Sequence, residues 1–315
     1  MGLALSPMAA LAQEAAAIDP PVTLERPRAS SDDAWWTGPM LANSAATLPK
    51  GHALVETYAF HQIQKDSSLY GSLTYLLYGI TDKFTIGLKP MFGMTSSGGD
   101  TSRVGFGDLT LHTQYRLTSL DAAPDQPAIS VSLQHALPTG RYDQLDTRPA
   151  PGLGSGSHAT IVALYGQQYF WLANGRPFRT RLNISSTFSR EAKIKGGSIY
   201  GTHSGFRGRA KPGDLLSLGV SGEYSVNRSW VLALDLIFNH AGTTRVKGFD
   251  PPVAVGGLPV PVQYSLGSSQ WVSIAPAVEY SWTPNLGVLF GTRFNPRGRN
   301  NPASITPAVA INYVY

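Results

Sequence analysis

The side chains best placed to do chemistry are charged or imidazole groups on one parity of alternating segments: Lys89, Asp108, His112, Arg116, Arg179, Arg181, Glu223, Asp235, Glu279 and Arg293. Arg179 and Arg181 are two residues apart, which puts both on the same side of a strand. Glu223 and Glu279 fall at a similar depth in later segments. Two readings suit such a set. One is a charged constriction that selects permeants. The other is a ladder of salt bridges and hydrogen bonds that fills a narrow lumen. Glu223 and Glu279 also resemble an acid/base pair, but arginines at the same depth favour ionic pairing.

Other chemistries find little support. With no cysteine, disulfides, thiolate metal sites and thiol nucleophiles are excluded. The histidines are dispersed, without an i, i+4 pair or a His-Glu-x-x-His motif, so neither a metal site nor a cofactor is expected. His112 is the most interesting of them, facing inward beside Gln114 and Arg116. The rival class is an outer-membrane lipid or ester hydrolase, yet no Gly-x-Ser-x-Gly or His-x-Ser-Asn-Gly signature occurs. "GTHSGF" (Gly201 to Phe206) sets His beside Ser in a loop where nothing would hold a triad. "GLGSGSH" (Gly152 to His158) opens onto a strand rather than a helix, which argues against a phosphate cradle. The net charge of +5 is spread over single basic residues, so no nucleic-acid partner is expected. "HSGFRGRAK" (His203 to Lys211) is a small basic patch, either a solvated loop or a contact for lipopolysaccharide phosphates.

The elements that must position these residues are strands. Charged residues are 14% of the chain, against roughly 25% in ordinary soluble domains, and glycine is abundant. From Gly51 onward, segments of alternating parity recur at 52–62, 69–79, 84–94, 104–118, 128–138, 158–172, 177–190, 214–226, 230–241, 269–282, 286–296 and 303–315. In "WVLALDLIFNH" the even positions Trp230 to Phe238 are apolar, while Asp235 and Asn239 are odd. In "PFRTRLNISSTF" the charges likewise occupy the odd face. The 158–172 segment tolerates either parity.

Tight turns such as "TDK", "NGR", "NRS" and "TPN" alternate with longer connections, including long loops across 139–157, 191–213 and 242–268. Aromatic residues crowd the short turns. This predicts an all-β fold: a closed antiparallel transmembrane β-barrel of about 12 strands, short turns toward the periplasm, with an aromatic girdle there. Closure requires the last strand, ending on Tyr315, to pair with the first. No stretch is long and apolar enough for a membrane helix. Residues 1–12 read as a truncated signal peptide with Ala10-Leu11-Ala12 at its cleavage site. Residues 13–50 read as a periplasmic segment or a partial lumen plug, because the "DDAWW" tryptophans would be costly left in water. Residues 51–315 form the barrel.

Several motifs carry a family resemblance. "ERP" (Glu25 to Pro27), "TLPKGHALVETY" (Thr47 to Tyr58), "YGITDKFTIGL" (Tyr78 to Leu88), "GFGDLTLHTQYRL" (Gly105 to Leu117) and "LPTGRYD" (Leu137 to Asp143) resemble the outer-membrane family named for the meta pathway of phenol degradation (MetA-type). The resemblance spans most of the chain and departs from the family in longer loops at 191–213 and 242–268. It implies a barrel in the bacterial outer membrane that helps small aromatic compounds enter, and it carries over no binding residues. The expected function is passive uptake of small, aromatic or hydrophobic molecules; the alternatives are the hydrolase and a structural or surface-interaction barrel. The expected partners are outer-membrane lipid and lipopolysaccharide, the barrel-assembly machinery and a small-molecule permeant.

Overall fold

A computed structural model describes residues 28–120, 126–145, 152–253 and 257–315. The expected signal peptide at 1–12 and residues 13–27 lie outside the described residues. A twelve-stranded antiparallel barrel dominates the molecule. Its wall strands begin with Ala53–Ile63, Ser67–Thr81 and a third formed by Phe84–Lys89 with Met91–Ser97. Leu109–Thr118, Ala128–Leu137, Ala159–Trp171 and Pro177–Ser189 follow. Leu215–Ser225, Trp230–Ala241, Ser269–Thr283, Leu286–Asn295 and Ser304–Val314 complete the circuit.

The seam closes as the alternating ends predict. Val55 lies opposite Tyr313 and Phe60 opposite Ala308, while the same strand pairs on its other edge with Ser67–Thr81. Beyond the last assigned strand residue, Ala53 and Tyr315 exchange backbone hydrogen bonds, with N to O distances of 3.1 and 2.8 Å. No edge is left for the hydrocarbon to strand.

Parity decides which face meets lipid. Leu182, Val220 and Leu236 are exposed neighbours on adjacent strands, and Leu232, Leu234 and Phe238 continue that surface. The intervening Val231, Asp235 and Asn239 are buried. In Ala159–Trp171, Val162 and Leu164 face out while Ala163, Tyr165 and Gln167 are buried, which resolves the ambiguous parity. The tight turns sit together at one end. In "NGR", Gly175 takes a φ of 76°, a left-handed value suited to glycine. In "NRS", the Asn227 side-chain oxygen accepts from the backbone N of Ser229 and Trp230 at 2.9 and 3.0 Å. Trp230 stacks against Tyr280 at 4.7 Å and Tyr280 against Trp282 at 5.2 Å, part of the aromatic girdle.

Three expectations need correction. The strand expected at 84–94 breaks at Pro90, which has no N–H for the ladder, and resumes as far as Ser97. The 104–118 segment is also interrupted. Gly105–Phe106 is separated from Leu109–Thr118, because Gly107 N turns to Met91 O at 2.9 Å. The loops at 191–213 and 242–268 contain regular structure. Ala192–Lys195, Arg207–Lys211, Arg245–Asp250 and Val260–Ser265 form a separate four-stranded sheet, with Ile194, Phe206, Ala210 and Val246 buried beneath it.

Candidate functional site

The site is the barrel interior, and its main occupant is the segment before the first wall strand. This strap enters at the short-turn end, where Ala29 N donates to Gly175 O at 2.9 Å and Trp35 N to Arg228 O at 2.7 Å. It rises to an apex at Leu41–Asn43 and descends to Leu48, whose N–H donates to Thr85 Oγ1 at 3.0 Å. Without a β-partner, the strap's backbone donors would be stranded in the lumen, and each such group costs about 1–3 kcal/mol. Inward side chains of the wall accept them instead. Glu279 Oε2 takes Thr37 N and Oγ1, both at 2.9 Å, and Gly38 N at 3.0 Å. Asp235 takes Leu41 N at 2.9 Å and Ala42 N at 3.2 Å. Asn183 exchanges two hydrogen bonds with the Asn43 backbone, at 2.7 and 3.0 Å.

Small inward residues make room for it. Ala233, Ala277 and Ala310 form a buried patch with Leu289, against which Met40 packs. A Cβ on Gly287 would lie 2.1 Å from the Thr37 methyl. Opposite, buried Ala45 packs with Ala128, Ala163 and Tyr165.

The predicted ladder is centred on Glu223. Arg179 grips it through two donors, one of them Nε to Oε2 at 2.7 Å, and Arg181 Nε adds a third bond at 3.0 Å. Arg181 Nη1 also donates to Ala42 O at 2.9 Å, and Arg179 stacks on Trp36 with its guanidinium carbon 4.4 Å from the ring centroid. The ionic network and the strap are thus one assembly. All three charged groups are buried, so their attraction is little screened by solvent.

Of the remaining candidates, Lys89 is buried and donates to Gln134 Oε1 at 3.0 Å, with its ammonium 4.7 Å from the Tyr75 ring centroid. His112 is buried near Gln114, and Arg293 Nη2 reaches Thr306 Oγ1 at 3.5 Å. The structure does not bring Asp108 or Arg116 into this group. Asp108 anchors an outer loop by accepting from Gly140 N at 2.9 Å and from Ser155 N and Oγ at 2.8 and 2.6 Å. Arg116 stands near the Lys83 turn, its backbone N donating to Lys83 O at 2.8 Å.

Two cavities flank the strap. One of about 350 Å³ opens above the apex, lined by Lys89, Tyr165, Trp271 and Arg293 among others. The other, about 240 Å³, lies between the strap and the first two wall strands, with Tyr58, Tyr75 and His112 on its walls. Leu41, Asn43 and Asn183-side backbone contacts mark the boundary, Leu41 and Asn43 lining both spaces. A larger depression of about 850 Å³ lies elsewhere, mainly on the outer wall around Leu164, Leu182 and Leu232, where lipid chains would cover it. Sequence reasoning missed Glu56, which lines the inner cavity and accepts from Tyr58 OH at 3.2 Å. Its signal was available: in "LVETY" the exposed positions are Val55 and Thr57, so the carboxylate between them must turn inward.

The rival triad is not assembled. His203 faces Asp250 through Nε2 at 3.1 Å, but its Nδ1 meets the Ser204 carbonyl oxygen at 3.1 Å rather than a hydroxyl.

Comparison with known proteins places the architecture. The COG4313 outer membrane channel from Pseudomonas putida F1 superposes with a TM-score of 0.64 at 16% identity, covering 88% of this chain and 100% of that one. The NanC porin gives 0.45 at 9% identity, covering 82% of this chain and 98% of that chain. The first supports the shared barrel fold; the second is too distant to add to it. None of the curated proteins matches this sequence. A family model described as "Putative MetA-pathway of phenol degradation" matches residues 38–306. That span begins within the strap and takes in nearly the whole wall: the chain belongs to this family of bacterial outer-membrane β-barrels.

Proposed function

We propose that the barrel is a passive outer-membrane channel that admits small, aromatic or hydrophobic molecules past the strap. The observation that carries this reading is the pair of cavities sharing Leu41 and Asn43, which leaves the strap apex as the division between them. A wall strand could not yield without opening the barrel. The strap, held by side-chain hydrogen bonds and packing, can shift while the sheet stays closed. Trp36, Tyr58 and Tyr75 give the inner cavity flat apolar surfaces, and Glu56, His112 and Gln114 supply polar groups to orient a ring substituent. The family description supports an aromatic permeant, and the superposition with a channel supports conduction.

Planar-bilayer conductance and liposome swelling test this directly. The intact protein should show small conductance, and a variant that begins at Thr47 behind a signal sequence should show a larger one. Phenol in the bath should reduce the ion current of the intact barrel. A folded barrel impermeable to ions and small solutes in both forms would refute the channel. Conduction indifferent to phenol would refute the aromatic permeant.

A further inference from the structure

The four-stranded sheet outside the membrane follows the order of the wall strands from which it rises. Ala192–Lys195 follows Pro177–Ser189, Arg207–Lys211 leads into Leu215–Ser225, Arg245–Asp250 follows Trp230–Ala241, and Val260–Ser265 leads into Ser269–Thr283. The sheet is therefore a continuation of that side of the barrel beyond the membrane. Its buried face packs on Tyr142, Tyr200 and Tyr264. Tyr142 belongs to the long connection whose Gly140 and Ser155 are tied to Asp108. The other face is turned away from that connection, on the outside of the extended wall.

That outer face is almost uniformly cationic. Lys193 lies opposite Arg209, which lies opposite Lys247; Lys195 faces Arg207, and Lys211 faces Arg245. Like charges placed directly across a ladder repel, and a sheet seldom accumulates them without a compensating anion. The compensation within the chain is small. Among the described residues, Glu191 reaches Arg209 at 3.2 Å and Lys247 at 3.6 Å, and Asp214 reaches Lys211 at 3.8 Å. No ion pair is recorded for Lys193, Lys195, Arg207 or Arg245. A depression of about 610 Å³ lies on the sheet, with Arg207, Arg209 and Lys247 around it and Phe249 and Pro261 forming an apolar side.

The position is as informative as the charge. Exposed Phe188, Leu216 and Phe238 mark the last lipid-facing level of these strands, and the basic rows begin a few residues beyond it. At about 3.3 Å per residue, they sit within roughly 10–25 Å of that level, where outer-leaflet headgroups lie.

We propose that this face docks the phosphorylated sugar headgroup of lipopolysaccharide in the surrounding outer leaflet. Phosphates would bridge the like-charged pairs, and Phe249 and Pro261 would cover one side of the sugar. Lysine and arginine together suit this role, since phosphate accepts both point charges and forked guanidinium donors.

The test measures binding of deep-rough lipopolysaccharide to the full chain in detergent. A Lys193→Gln, Arg209→Gln, Lys247→Gln triple variant should lose about tenfold or more in affinity, as expected when several charge-assisted contacts go together. A Lys193→Arg, Lys211→Arg, Lys247→Arg variant should bind as the parent does. Dephosphorylated lipid should bind the parent about tenfold more weakly. Heat-modifiable gel migration checks that each barrel is folded; if the neutralised variant fails it, the dephosphorylated lipid decides the matter on the parent. Equal binding by the folded neutralised variant, or of the dephosphorylated lipid, would overturn the proposal. So would equal affinity for phosphatidylglycerol vesicles, which would mean generic attraction to anionic lipid. Pyrophosphate binding as tightly as the lipid would overturn it in favour of a small soluble anion.

Discussion

Arg179 joins the wall to the strap by presenting its flat face to Trp36 and its donors to Glu223, with the guanidinium carbon 4.4 Å from the indole centroid. Glu223 is also the partner of Arg181. Replacing it with Gln strips the carboxylate from two buried guanidiniums, a change that costs about 3–5 kcal/mol when a buried charge is left unpaired. The urea midpoint of Glu223→Gln in lipid should fall clearly below that of the parent. Arg179→Lys should retain the charge yet change the Trp36 fluorescence, because an ammonium cannot both stack and fork. A Glu223→Gln midpoint equal to the parent's would refute a supporting role for this network.

Glu279 collects three strap donors on a single oxygen. Glu279→Ala should free the Thr37–Gly38 stretch, raise single-channel conductance and expose the strap to protease. The barrel should keep its heat-modifiable migration, since no wall hydrogen bond depends on that carboxylate. Unchanged conductance with a protease-sensitive strap would show that the strap is not the barrier.

His203 and Asp250 link two outer turns. The Ser204 carbonyl and then the Asp250 charge raise the imidazole above its ordinary value of 6.5. The folded state thus favours the protonated ring. Its contribution is complete below the ordinary value and is lost as pH rises through the elevated one. An NMR titration should place the His203 midpoint above 6.5, and Asp250→Asn should lower it. An identical midpoint in that variant would remove Asp250 as a cause.

The seam depends on the hydrogen-bond exchange between Ala53 and Tyr315. Deleting Val314 and Tyr315 should reduce the yield of folded barrel in the outer membrane before it alters the permeability of whatever folds. Full surface yield would contradict this account of closure.

The wall was legible because lipid on one side and a crowded lumen on the other impose a strict period of two. "WVLALDLIFNH" carries that period without ambiguity, and Arg179, Arg181, Glu223, Asp235 and Glu279 came together as their parity required. The loop sheet was harder to see because its exposed parity changes. Exposure falls on Leu182, Ile184 and Phe188 in the wall, but on Lys193 and Lys195 beyond Glu191, so a single alternating pattern does not run through. The strap's path was illegible for another reason. Its stretch from Ala34 to Lys50 has no period, and its partners lie as far as 242 residues away. Inward alanines and glycines such as Ala233, Ala277 and Gly287 were the available trace, since small side chains facing a lumen leave space for something to occupy.

The wall holds the strap chiefly by its peptide groups. Asp235 receives the amides of Leu41 and Ala42, Asn183 pairs with the backbone of Asn43, and Arg181 bonds the Ala42 carbonyl. Peptide groups are common to nearly every residue. The identities of the apex side chains are therefore largely released from the work of anchoring, and Leu41 or Asn43 can be exchanged while the loop remains moored. One scaffold can in this way carry interchangeable filters.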